Sequence, residues 1–172
     1  MEGVRSMSDG TIYFQSYIFK DRSISEELAD RAKQLEIDVL FLTVDASVSA
    51  VRERDVRNGF RIARGMPPRA IANFLLHPRW LWDMALSGRP HLENFSSRRD
   101  IPPDLYAQAS ALTSQLDPSL TWEDVRRFRN SWPGKLVLKG IISVTDARKA
   151  ADSGVDGIVV SNHGGRQLNG GQ

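Results

Sequence analysis

The chain has 172 residues, 41% apolar and 26% charged, with a formal net charge of +2. That length and balance specify a folded domain with a sizeable core, and they exclude a disordered chain and a globally basic nucleic-acid binder. No cysteine is present, which rules out disulfides and thiolate metal sites, and no apolar run reaches the length of a transmembrane helix.

Met1 to Gly10 lacks a signal-peptide core. Ile12 to Phe19 is rich in aromatic and β-branched residues and reads as a strand. Lys20-Asp21-Arg22 is the turn after it. Ser23 with Glu26 predicts a capping box, and Leu28, Ala32 and Leu35 fall on one face of the helix that follows. Asp38 to Asp45 is a second strand, nearly all apolar, whose lack of alternation predicts burial on both faces as in parallel sheets.

The interval to the next strand is too long for one βα unit, so about residues 59–118 are read as an insertion on the active-site face. Between Gly59 and Asp100 seven arginines stand against three acidic residues, interleaved with Phe74-Leu75-Leu76 and Trp80-Leu81-Trp82. Two readings fit this composition. One is a segment lying at a lipid interface; the other is a lid or oligomer contact with a solvated arginine face.

Thr121 and Asp124 resemble a cap, Trp122, Val125 and Phe128 form a helical stripe, and Trp132-Pro133-Gly134 ends that helix. Lys135 to Gly140 is the third strand, Thr145 to Asp152 a short helix closed by Gly154, and Gly157 to Ser161 the fourth strand. Strands alternating with helices predict a parallel α/β architecture. Spacing alone separates a barrel from an open sheet only weakly. Thr43 with Asp45, Lys139, and Ser161 with His163 nevertheless sit at or just past strand carboxyl ends, where a (β/α)8 barrel gathers its functional groups. Four strands are half of such a barrel. With a strand starting at Thr11 and the chain ending in a loop, the expectation is an internal piece of a larger domain.

The densest chemistry is Ser161-Asn162-His163-Gly164-Gly165-Arg166-Gln167. A histidine, an arginine and two glycines past a buried strand suit an α/β active site, the glycines letting a ligand approach the backbone. A polar βα turn with one surface histidine is the plainer alternative.

Taken with Phe14-Gln15-Ser16-Tyr17, Lys20-Asp21-Arg22, Leu42-Thr43-Val44-Asp45, Arg52-Glu53-Arg54-Asp55, Leu76-His77-Pro78-Arg79-Trp80 and Val137-Leu138-Lys139-Gly140, this string resembles the FMN-dependent α-hydroxy acid dehydrogenase/oxidase family over nearly the whole chain. The His-Pro-Arg-Trp segment and the long insert look most like its membrane-associated lactate and mandelate dehydrogenase branch. Ala46-Ser47 and Asn169 depart from the family pattern without touching the presumed chemistry.

The resemblance implies a partial (β/α)8 TIM barrel, with this chain supplying strands three to six. It implies oxidation of an (S)-2-hydroxy acid of lactate or mandelate type to the 2-oxo acid, with FMN as cofactor and no metal. His163 is then the active-site base and Asp45 its hydrogen-bond partner, fixing the tautomer and stabilising the imidazolium. Arg166 grips the substrate carboxylate through a bidentate pair, with Arg52 a second cation and Tyr17 a hydroxyl donor. On the cofactor side, Lys139 sits near flavin N1 and O2, and Gln15, Thr43 and Ser161 offer neutral hydrogen bonds to the pyrimidine edge. Taken singly, Gln15, Thr43 and Ser161 are read as satisfying strand ends, Lys139 as pairing a neighbouring acid, and Asp45 as a helix cap.

The implied partners are a small hydroxy acid, a quinone or cytochrome electron acceptor, and a membrane surface met peripherally through the insert. A full-length protein is expected to be a homo-oligomer, cytoplasmic or peripheral on the inner face of the cell membrane, and not to bind nucleic acid. The competing expectation is a non-catalytic half-barrel that only associates with a membrane or partner chain through its basic, tryptophan-rich insert.

Overall fold

The computed structural model describes residues 1–46, 57, 68–88, 92–95, 98, 100, 101 and 105–165. The chain divides into two compact units, one of residues Met1–Ala50 and Gln115–Gln172, the other of Val51–Ser114.

The first unit is built on a parallel sheet of β1 (Tyr13–Tyr17), β2 (Val39–Thr43), β3 (Lys135–Lys139) and β4 (Gly157–Val159), hydrogen-bonded in chain order without a reversal. The register sets Tyr17 beside Thr43, Thr43 beside Lys139 and Lys139 beside Val159. Side chains alternate across a strand. One face of the sheet therefore carries Phe14, Ser16, Leu40, Leu42, Leu136 and Leu138, all buried. A short helix α1 (Glu2–Arg5) precedes β1, and helix α2 (Arg22–Gln34) packs on β1 and buries Ile24, Leu28, Ala29 and Ala32. The opposite face carries Tyr13, Gln15, Phe41, Val137 and Lys139, which remain exposed or half-buried. Tyr13 and Phe41 meet there edge to face, ring centres 5.8 Å apart. On this second face Thr43, beside Lys139 in register, is buried at 3% exposed.

Local chemistry explains the helix boundaries. The expected Ser23–Glu26 capping box does not form. Asp21 is the N-cap and its carboxylate accepts the Ser23 backbone N–H at 3.0 Å and the Ser23 hydroxyl at 2.6 Å. A carboxylate is the stronger acceptor at a helix N-terminus, so the helix starts before the serine. In α6 (Trp122–Ser131) the predicted cap is present: Asp124 Oδ2 accepts the Thr121 N–H at 3.0 Å and the Thr121 hydroxyl at 3.2 Å. Val125 and Phe128 are buried as the stripe predicts, and Trp132, which ends the helix, is 2% exposed. Helix α7 (Val144–Asp152) is capped by Ser143, whose hydroxyl accepts the Asp146 N–H at 3.0 Å.

Arg22 ties the start of α2 to the entry of α6. Its guanidinium holds both carboxylate oxygens of Asp124, at 2.8 and 3.2 Å, and Asp117 at 2.5 Å. Hydrogen bonds from the Ser119 hydroxyl outweigh burial and, with Arg22, hold Asp117 down at about 2. Burial opposes the same shift at Asp124, but the Arg22 and Thr121 hydrogen bonds prevail and lower it too. The same contacts raise Arg22 itself, its Asp124 hydrogen bond first. At the other end of the sheet, Asp156 accepts the Leu136 N–H at 2.9 Å and pairs with Arg129 at 2.7 Å and Lys135 at 3.1 Å.

The second unit contains α3 (Pro68–Leu75), α4 (Pro78–Ser87), a 3-10 turn at Glu93–Phe95 and α5 (Leu105–Ser114). Pro78 opens α4 at a position where a missing N–H costs nothing. Phe74 and Trp80 stack at 4.9 Å, and the side chain of buried Gln108 accepts the Leu92 N–H at 2.8 Å. Ile71, Leu75, Leu76, Trp82 and Leu86 are exposed, Leu76 to 77%. Among the described residues, no helix is long and apolar enough to cross a membrane.

Candidate active site

All of the site's described residues lie in the first unit, at or just past the carboxyl ends of its strands except Gln15, the middle residue of β1. Thr43 and Lys139 are the last residues of β2 and β3 and are neighbours in register, so their side chains emerge on one face. From β1, the Gln15 side-chain amide donates to Thr43 Oγ1 at 2.9 Å. A neutral amide, a buried hydroxyl and an ammonium are thereby lined up across three strands. This donor and acceptor set suits the imide edge of a planar heterocycle on which negative charge develops.

Asp45 follows β2 by two residues, and His163 lies in the turn after β4. His163 Nδ1 is 2.6 Å from Asp45 Oδ1, with the two side chains only 19% and 11% exposed. Lys139 Nζ is 3.3 Å from the same ring nitrogen and 3.8 Å from Asp45 Oδ2. One nitrogen cannot both donate to a carboxylate and accept from an ammonium. The shorter contact, to an acceptor-only group, places the proton on Nδ1 and leaves Nε2 as the lone-pair nitrogen. Asp45 Oδ2 is buried and has no hydrogen-bond partner among the described residues, so the Lys139 charge is its compensation.

The turn holding His163 is held by its own polar groups. Ser161 Oγ accepts the His163 N–H at 3.0 Å, and the Asn162 side chain accepts the Gly165 N–H at 3.1 Å. His163 has a positive φ of 58°, followed by Gly164 at 64° and Gly165 at 70°. A non-glycine residue there costs on the order of 1 kcal/mol or more and persists only where the surroundings hold it. The glycines complete the turn cheaply. Tyr17 is half-buried at the end of β1; burial first, and then the Asp45 charge, push its phenol above the ordinary value. It therefore remains a hydroxyl donor.

The structure thus brings Gln15, Tyr17, Thr43, Asp45, Lys139, Ser161 and His163 to one end of one sheet. The Asp45 carboxylate faces a histidine. Ser161 satisfies the backbone of the turn, as its plainer reading holds, and keeps its own O–H to donate. Arg52 and Arg166, the expected carboxylate-binding residues, lie outside the described residues. Sequence reasoning passed over Gly140. It has φ of 109°, and a Cβ built on it would lie 2.4 Å from Asp45 Cβ and 2.5 Å from Asp45 Cγ. The only sequence sign of it is a glycine directly after Lys139.

The family model for FMN-dependent dehydrogenases matches residues 1–172. The chain is 42% identical over 171 residues to an L-lactate dehydrogenase of Pseudomonas putida (strain W619), covering 99% of this chain and 45% of that protein. An L-lactate dehydrogenase of Azorhizobium caulinodans is likewise 42% identical over 171 residues, with the same coverage. Among solved structures, the monotopic membrane protein (S)-mandelate dehydrogenase superposes with a TM-score of 0.88 at 38% identity, over 98% of this chain and 44% of that one. The chain spans about half the length of the curated relatives it matches. By the match along its whole length, it belongs to the FMN-dependent dehydrogenase family.

Proposed function

We propose that the chain forms part of an enzyme that oxidises an (S)-2-hydroxy acid, of lactate or mandelate type, to the 2-oxo acid. The observation that carries this reading is the 2.6 Å pair of His163 Nδ1 and Asp45 Oδ1, set beside Lys139 at the carboxyl end of a parallel sheet. Four strands in unbroken order, with their polar groups at one end, support the further reading that the first unit supplies strands three to six of a (β/α)8 barrel. About residues 59–118 are then the insertion of that barrel, beyond ordinary loop length.

FMN, the family's cofactor, fits the residues present: Lys139 would hold its N1 and O2 region, and Gln15, Thr43 and the Ser161 hydroxyl its pyrimidine edge. When bound it supplies the two-electron acceptor. The chain's own residues do the rest. The His163 lone pair on Nε2 takes a proton from the substrate, and the resulting imidazolium is stabilised by Asp45, which already orients the ring through Nδ1. Arg166, with Arg52, holds the substrate carboxylate, and the Tyr17 hydroxyl donates to it. The hydroxy acid leaves as the 2-oxo acid: one proton goes to His163, and the two electrons with the second proton would go to FMN.

The exposed Leu75, Leu76, Trp80, Trp82 and Leu86 of the second unit support peripheral attachment to a membrane. The electron acceptor is then a quinone or cytochrome reached from that surface, and the whole protein is a homo-oligomer on the inner face of the cell membrane. The deciding assay mixes the purified flavoprotein carrying this chain, without oxygen, with (S)-lactate and then with (S)-mandelate. Bleaching of the visible flavin absorbance by either acid, with the matching 2-oxo acid formed in equal amount, is the expected result. No bleaching by any 2-hydroxy acid would overturn the proposal.

A further inference from the structure

We infer that Gly140 is a positioning residue for the Asp45–His163 pair: the absence of its side chain is what lets the Asp45 carboxylate reach the imidazole. The geometry is severe. A Cβ on Gly140 would stand 2.4 Å from Asp45 Cβ, 2.5 Å from Asp45 Cγ and 2.9 Å from the Asp45 backbone nitrogen. These atoms form the root of the side chain, so rotating the carboxylate does not relieve the overlap. The backbone around Gly140 is hydrogen-bonded to the strands on both sides. Val44 N–H donates to Lys139 O at 2.9 Å, and Gly140 N–H donates to Val159 O at 3.0 Å, pinning the end of β3 to the chain leaving β2 and to β4. A methyl group at 140 therefore pushes Asp45 away from His163. The φ of 109° adds strain for any L-side chain, but strain alone would not single out the histidine.

The contrast lies within the same unit. Gly154 also has a positive φ, 73°, yet a Cβ there meets only Arg129 Cγ at 4.0 Å. Gly154→Ala thus introduces left-handed strain without an overlap and serves as the strain control.

The test uses the full-length flavoprotein and has two readouts. The first is the low-field proton resonance of His163 Nδ1–H, expected from so short a hydrogen bond and assigned by its loss in His163→Gln. The second is turnover of the hydroxy acid; only this readout rests on the proposed function. Gly140→Ala is expected to abolish the low-field resonance and to lower kcat at least thirtyfold, about 2 kcal/mol, with KM within threefold and flavin content unchanged. Gly154→Ala is expected to keep both. In an Asp45→Gly background, where the two overlapping side-chain atoms are gone and only the backbone nitrogen at 2.9 Å remains, Gly140→Ala is expected to change the residual kcat less than threefold. If Gly140→Ala alone yields no folded flavoprotein, recovery of folding and bound flavin in the Asp45→Gly background supports the inference, and failure in both overturns it. A Gly140→Ala protein that keeps the resonance and its kcat within threefold also overturns it. A wild-type protein that shows the resonance but oxidises no hydroxy acid sinks the functional reading, and the resonance still decides the role of Gly140.

Discussion

His163 Nδ1 and Asp45 Oδ1 stand 2.6 Å apart although 118 positions separate them along the chain. Parallel strands make this meeting. Asp45 leaves the end of β2, His163 leaves the end of β4, and β3 between them carries Lys139 within reach of both. With the ring held through Nδ1, the other nitrogen would serve as the proposed base, and the carboxylate would face the charge that proton transfer creates.

Asp45→Asn keeps the shape but removes the charge that stabilises an imidazolium. A hydrogen bond to a charged group contributes about 1.5–3 kcal/mol, so turnover is expected to fall about tenfold to a hundredfold. Flavin absorbance should be unchanged. Steady-state kinetics with a dye acceptor measures this, and an Asn variant as fast as wild type would separate Asp45 from the proton transfer.

Arg166→Lys replaces a planar fork with a point charge. If Arg166 grips the carboxylate in a bidentate pair, KM for hydroxy acids rises strongly and turnover slows. Unchanged kinetics with several acids would place the carboxylate elsewhere.

The Arg22 cluster predicts a particular acid sensitivity. Asp117 is held at about 2 against an ordinary 3.8, so the folded state binds its proton less readily than the unfolded chain. Its contribution is therefore fully present above about pH 4 and is lost as pH falls from there toward 2. Thermal unfolding between pH 5 and pH 2.5 should show a steep loss of stability that Asp117→Asn flattens. Arg22→Ala leaves two nearly buried carboxylates unpaired and should cost roughly 2–4 kcal/mol at neutral pH. Parallel pH curves for wild type and Asp117→Asn would contradict this account.

For the second unit, Leu76→Glu with Trp82→Glu should weaken cosedimentation with anionic liposomes while dye-linked oxidation continues. Both side chains are exposed, to 77% and 67%, and interfacial attachment depends on apolar burial. Equal binding by wild type and variant points to a lid or subunit contact in place of a membrane anchor.

Much of this was legible in the sequence. The strands stood out as β-branched and apolar runs, within two residues of their observed ends. Lys139 and His163 could be placed at strand termini because parallel strands collect polar residues there. The N-cap of α2 was misplaced because Ser23 and Asp21 both suit the position, and only the chain path shows that the carboxylate caps first. The union of Arg22 with Asp117 and Asp124, like that of Asp45 with His163, joins residues distant in the chain and is decided by packing. Gly140 was overlooked for another reason: its contribution is an empty volume beside Asp45, and an absent side chain leaves no pattern to read.

The central claim is that His163 removes the substrate proton in an FMN-dependent oxidation, and one substitution tests it most directly. Wild-type and His163→Gln flavoproteins are each mixed anaerobically with saturating (S)-hydroxy acid, and the bleaching of the flavin is followed. General-base catalysis accounts for about 10²–10⁴-fold in rate, so bleaching is expected to slow at least a hundredfold in the variant, with equal flavin content in both proteins. A variant that keeps more than a tenth of the wild-type rate would remove His163 from the reaction.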